Sequence, residues 1–188
     1  MRCFVAIDLS PEVRAAIVRA QAGLRTAAPQ ADVRWLDPAG MHLTLAFLGE
    51  VREDRVAALQ STLTAAMTPR TPLALMASGL GGFPSARRPR VVWAGIVGEG
   101  DALGRTAAAV TSALVPLGFP AEERPFSGHV TLARVRSPRG LPPLGDAIAA
   151  GAQADFGTWT ARDVVLYRSH LRPSGAVYEP LGRFPFGG

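Results

Sequence analysis

A chain of 188 residues that is 48% hydrophobic and 19% charged can bury a core as one domain or as two small lobes, which excludes a disordered polymer. Its single cysteine, Cys3, excludes an internal disulfide and a cysteine-based metal cluster. The formal charge is +5 and every basic side chain is arginine, a composition that suits an anionic partner such as RNA or a nucleotide and that general composition bias in an Ala-rich chain accounts for equally well.

Phe4 to Leu9 reads as a buried strand. The apolar start is too short for a signal peptide and is broken by Asp8, and no stretch reaches the roughly 18 apolar residues of a membrane span. A soluble, cytoplasmic protein is therefore expected. Ser10-Pro11-Glu12 opens a helix, with Ser10 as cap and Pro11 in the first turn, and Val13, Ile17, Ala20 and Leu24 form its apolar stripe. Val33 to Leu36 is a short strand, Asp37 to Gly40 a turn, and His42 to Leu48 a second strand ending at Gly49. Glu53 to Met67 is a helix with Val56, Leu59, Leu63 and Met67 inward. Pro72 to Leu80 is a strand, followed by a loop holding Gly81 to Ser85 and the Arg87-Arg88-Pro89-Arg90 cluster. Val91 to Val97 is a strand, Asp101 caps a helix to about Leu114, and residues 116–128 are mostly loop. His129 to Val135 is a strand and Leu141 to Ala150 a short helix. Val164 to Leu171 and Ala176 to Leu181 form a hairpin around Arg172-Pro173-Ser174-Gly175. Helices alternating with hairpin-like strands point to an α+β fold, and no linker separates independent domains.

The informative feature is a repeat. His42-Leu43-Thr44-Leu45 and His129-Val130-Thr131-Leu132 share one pattern, and the chain has only three histidines. Side chains of a strand alternate faces, so His42 and Thr44 share one face while Leu43 and Leu45 share the other, and the second motif behaves alike. Two such strands about an approximate two-fold axis present two imidazoles and two hydroxyls to one cleft. Near neutral pH a histidine pair supplies one base and one acid, as phosphoryl transfer to water needs, and the hydroxyls can hold phosphate oxygens without a metal. Zinc-ligand spacings, a Gly-x-Ser-x-Gly elbow and a P-loop are all missing.

With these motifs the chain resembles the 2H phosphoesterase superfamily, and within it the RNA 2′,3′-cyclic phosphodiesterases, also called 2′-5′ RNA ligase-like proteins. The resemblance rests on Arg2 to Asp8, Trp35, His42 to Gly49, His129 to Arg134, Leu166-Tyr167-Arg168-Ser169 and Tyr178. One departure is Gly128, where the family often has proline before the second histidine. The resemblance implies a single bilobal domain over residues 1–188, with two antiparallel sheets around a central groove and helices outside. It implies hydrolysis of an RNA or nucleoside 2′,3′-cyclic phosphate to a 2′-phosphomonoester, with His42 as proton donor, His129 as proton acceptor, and Thr44 and Thr131 on the phosphate. It also implies a reverse, ATP-independent 2′-5′ joining of RNA ends. No cofactor or metal is expected; the partner is RNA or a nucleotide with a cyclic phosphate end, and the chain is expected to be monomeric.

Phe47 and Arg134 each lie five residues after a motif histidine. That odd offset places them on the opposite face unless the strand twists, bulges or ends. On the near face, Arg134 would contact phosphate and Phe47 a base; otherwise they are a core phenylalanine and a surface arginine. Trp35 and Phe126 are candidates for base stacking or for burial. His170 lacks a threonine partner and reads as structural. Two other functions stay open: an RNA-end-binding protein with negligible catalysis, and a cyclic phosphodiesterase for a small nucleotide such as an ADP-ribose cyclic phosphate.

Overall fold

The computed structural model describes residues 1–120, 124–172 and 175–187. It is an α+β protein. In chain order the elements are β1 (Arg2–Asp8), α1 (Pro11–Ala27), β2 (Val33–Trp35), β3 (His42–Glu50), α2 (Val56–Met67), β4 (Leu73–Phe83), β5 (Val91–Gly98), α3 (Ala102–Leu114), β6 (His129–Val135), α4 (Leu141–Ala150), β7 (Asp155–Ala161), β8 (Asp163–Arg172) and β9 (Gly175–Pro185). The strands run β7-β4-β5-β6-β3-β1-β8-β9, all antiparallel, with β2 added beside β6. Two antiparallel halves meet at the motif strands β3 and β6, which share one recorded residue pair, Leu43 with Val130. The two sheets expected from the resemblance are thus joined edge to edge at that pair.

The helices cross between halves. α1 follows β1 but packs on β7 and α4, while α3 follows β5 but packs on β3 and α2. They bury one face of the sheet, where Leu43, Leu45, Val130 and Leu132 join the core with Ile17, Leu59, Leu63, Val110 and Ile148. Removing this apolar surface from water, at roughly 25 cal/mol per Å², is the main drive to this layering.

Most of the local chemistry acts as the residues suggest. Ser10 caps α1, its hydroxyl accepting from the Val13 amide at 3.2 Å. The differences have physical causes. Asp101 precedes α3, but its backbone is left-handed (φ 60°) and its side chain makes no cap hydrogen bond, because a capping side chain needs extended backbone to reach the first turn. β4 runs on to Phe83, since Gly81 and Gly82 pair with Trp93 and Val92 instead of looping. Gly81 is required there: the Trp93 indole fills the space its side chain would take. β7 has no counterpart among the expected strands. Asp155 accepts from the Gly157 amide at 2.8 Å, which looks like turn chemistry within a strand. The hairpin of β8 and β9 matches expectation; Pro173 and Ser174 of its turn lie outside the described residues.

α1 buries Gln21 where the helical stripe suggested Ala20. The Gln21 amide donates to the carbonyls of Leu36 and Leu132, both at 2.9 Å, and so pins β2 to β6. Replacing it with Gln21→Met keeps the volume and removes the donor, leaving the Leu36 carbonyl without its amide partner. Urea unfolding should show a loss of about 1–3 kcal/mol.

Candidate active site

The motif strands set the site through their register. Leu43 and Val130 are paired and point into the core. Continuing that antiparallel pair sets His42 beside Thr131 and Thr44 beside His129, all four on the other face. The two imidazoles then lie on a diagonal, with Cβ atoms less than about 8 Å apart. That gap suits a tetrahedral phosphate touched from both sides.

Each motif strand then bulges at the same point. β1 pairs Val5 with Ala46 and Ala6 with Thr44, which leaves Leu45 unpaired. β5 pairs Val92 with Ala133 and Trp93 with Thr131, which leaves Leu132 unpaired. Leu45 and Ala46 are consequently buried in succession, as are Leu132 and Ala133. The extra residue reverses the alternation and turns Phe47 and Arg134 onto the histidine face. Phe47 is 65% exposed and faces Phe4, whose ring lies 6.3 Å away. Arg134 is exposed and close enough to Tyr178 to bias its ionisation.

His42 is held in an aromatic frame. Phe4 stacks on it at 4.6 Å with 19° between the rings, and Tyr178 meets it edge-on at 5.1 Å. Desolvation in this frame pulls the His42 pKa down to about 4, against an opposing pull from Asp8 and from the Gly40 carbonyl; Arg14 adds to the lowering. Asp8 is held by two donors. It accepts from the Tyr167 hydroxyl at 2.7 Å and from Arg183 at 2.8 Å. Burial and the same bond to Asp8 push the Tyr167 phenol up to about 12, so it stays a donor. A cavity of about 700 Å³ opens against His42, walled by Asp8, Arg14, Tyr167 and Tyr178; His129 does not line it.

His129 is held differently. Its Nδ1 lies 2.7 Å from the Ser127 carbonyl, which can only accept. The ring proton therefore sits on Nδ1, and in the neutral form Nε2 carries the free lone pair. Phe83 meets the ring edge-on at 5.1 Å. Gly128 fits because a Cβ there would run into the Ile96 carbonyl, so the departure from proline follows from close packing.

Other expected residues fall elsewhere. Trp35 pairs with Ala133 and turns to the core face, where it is half-buried and packs against core side chains. Its neighbour Arg34 pairs with Arg134 and takes the histidine face instead. Phe126 is partly exposed in the loop before β6. His170 pairs with Glu179 at 2.7 Å on the β8–β9 hairpin. Arg87, Arg88 and Arg90 lie exposed between β4 and β5. Reading by motif missed Asp8, Phe4 and Arg34 as neighbours of the site, since none belongs to a repeated pattern. No group of three or more potential metal-ligating side chains occurs among the described residues, and none of their helices is long and apolar enough to cross a membrane.

Comparison with known proteins gives consistent matches. The family model for LigT like Phosphoesterase matches residues 7–93 and 96–178, one motif in each segment. The chain is 34% identical over 184 residues to an RNA 2′,3′-cyclic phosphodiesterase of Archaeoglobus fulgidus, covering 98% of this chain and 99% of the relative. It is 32% identical to the protein of that name from Thermus thermophilus, covering 100% and 91%. A solved Thermus thermophilus structure superposes with a TM-score of 0.82 at 32% identity, covering 100% and 99%. The E. coli LigT structure in complex with 3′-AMP superposes at 0.74 with 28% identity, covering 100% and 98%.

The burial of His42 has a direct spectroscopic consequence. In an NMR titration of the free protein its ring should protonate near pH 4, well below an ordinary histidine. Asp8→Asn should move that midpoint lower still, because the carboxylate favours the cation. A midpoint at or above the usual histidine value would contradict this account.

Proposed function

From the premise that this chain belongs to the LigT-like phosphoesterase family, we propose that it hydrolyses the 2′,3′-cyclic phosphate end of RNA or of a nucleoside, leaving a 2′-phosphomonoester. The observation that carries the reading is the pairing of Leu43 with Val130, whose continuation would set His42 and His129 diagonally across it, each beside a threonine of the other strand. The reading takes residues 1–188 as one bilobal unit, because each half contributes one motif.

The cyclic phosphate sits between the two rings. His129 Nε2 takes a proton from water as the water oxygen attacks phosphorus; the Ser127 carbonyl holds the Nδ1 proton and steadies the imidazolium that forms. The bond from phosphorus to the 3′ oxygen breaks, and His42 gives its proton to that oxygen. Thr44 and Thr131 hydroxyls donate to the non-bridging oxygens. Phe47, exposed on the same face, offers a surface for a base.

His42 is neutral in the free protein near pH 7, so its acid role requires proton uptake as the phosphate anion arrives. An anion beside the ring favours the imidazolium, and the fixed Asp8 carboxylate already biases it that way. The ring that loses its water to Phe4 and Tyr178 becomes a strong acid once charged. With the 5′-hydroxyl of a second strand in place of water, the same step forms a 2′-5′ bond without ATP.

Turnover of a nucleoside 2′,3′-cyclic phosphate, followed by phosphorus NMR in excess chelator, should give the 2′-phosphate. His42→Ala and His129→Ala should each lower kcat by about 10²–10⁴-fold. A strict need for added metal, or a 3′-phosphate product, would overturn the mechanism. Normal binding of RNA ends with no turnover would make the protein a binder.

A further inference from the structure

β2 carries an arginine to the site for which the reaction above has no use. Arg34 stands opposite Arg134 in the β2–β6 register, and residues paired across antiparallel strands share a face. Arg134 reaches the histidine face through the bulge at Leu132, so Arg34 reaches it too. Both are exposed, and neither side chain makes an ion pair or hydrogen bond among the described residues. Like charges directly opposed on neighbouring strands are unfavourable unless an anion lies between them.

A third group marks where that anion would lie. Burial raises the Tyr178 phenol pKa, while Arg134 and Arg34 both pull against that rise. Tyr178 meets His42 edge-on at 5.1 Å. On the far side, the Arg34 guanidinium comes within 3.8 Å of where a side chain at Gly175 of β9 would begin. Arg34 and Arg134 both act on the Tyr178 phenol, and the Tyr178 ring in turn meets His42.

We propose that Arg34 and Arg134 form a second phosphate site, holding the phosphate on the 5′ side of the nucleoside whose cyclic phosphate lies between the histidines. Two planar forks of donors suit a phosphate, and the Tyr178 hydroxyl adds a neutral donor. The site favours RNA ends and 5′-phosphorylated nucleotides over a bare nucleoside cyclic phosphate. It rests on the reading of His42 and His129 as the cyclic phosphate site.

The test is calorimetric titration of the full chain with adenosine 2′-monophosphate and adenosine 2′,5′-bisphosphate at one fixed ionic strength, since salt screens such contacts. The wild-type protein should bind the bisphosphate about tenfold more tightly. Arg34→Gln should bring the ratio of affinities close to one. Arg34→Lys keeps the charge without the fork and should give an intermediate ratio. Arg25→Gln, an exposed change on α1, should leave the wild-type ratio intact. The proposal is overturned by a wild-type ratio near one, by failure of both ligands to bind, by a ratio that Arg34→Gln does not move, or by an equal loss in Arg25→Gln. Turnover of the cyclic nucleotide is measured alongside on the wild-type protein. Its absence defeats the catalytic reading, while the affinity ratio still decides the second site.

Discussion

The pairing of Leu43 with Val130 is the constraint on which the site depends. Both side chains belong to the apolar core beneath α3 and its neighbours, and the pairing fixes which residues stand beside one another across the seam. A slip of one residue in either strand would drive a histidine and a threonine into the core and expose two leucines. Hydrophobic burial on one face therefore sets which side chains stand together on the other. The histidines need no contact with each other to be placed, because the leucine and valine between them do the placing.

Two bulges extend that arrangement beyond the four motif side chains. A regular strand would have sent Phe47 and Arg134 into the core, where an arginine charge has no partner. The unpaired Leu45 and Leu132 reverse the alternation at matching points of the two halves. A bulge disrupts the ladder, and in β6 the carbonyl of Leu132 is met by the Leu36 amide and by Gln21 from α1. A buried glutamine in an otherwise apolar helix face thus supports the position of a charged side chain on the opposite side of the sheet.

The scaffold is nearly two-fold, yet the chemistry is not. His42 is stacked and edged by Phe4 and Tyr178, with Asp8 and Arg14 acting from adjoining elements. Among the described residues His129 has one aromatic ring, Phe83, against its own, and its Nδ1 is tied to a carbonyl two residues back. Acid–base catalysis needs two groups in different protonation states, and different surroundings can divide a symmetric pair in that way. The difference comes mostly from β1, β8 and β9, which flank His42 with Phe4, Tyr167, Tyr178 and Asp8.

The histidine–threonine repeat, the strands that carry it and most helices were legible in the chain, because period-two alternation and capping are local properties. His129 to Val135 and Leu141 to Ala150 coincide with the observed β6 and α4. What local patterns could not carry was register. Whether Phe47 and Arg134 turn toward the site depends on an extra residue relative to a partner strand distant in sequence, and the β2–β6 pairing in the same way sets Arg34 opposite Arg134 and Trp35 opposite Ala133. β7, with a turn-like start, is held as a strand by pairing to β4. The sequence by itself determined which groups can do the chemistry, since those are fixed by residue type and period. Only the tertiary structure decided which of their neighbours join them, since that is settled by pairing between strands that burial of the core brings together.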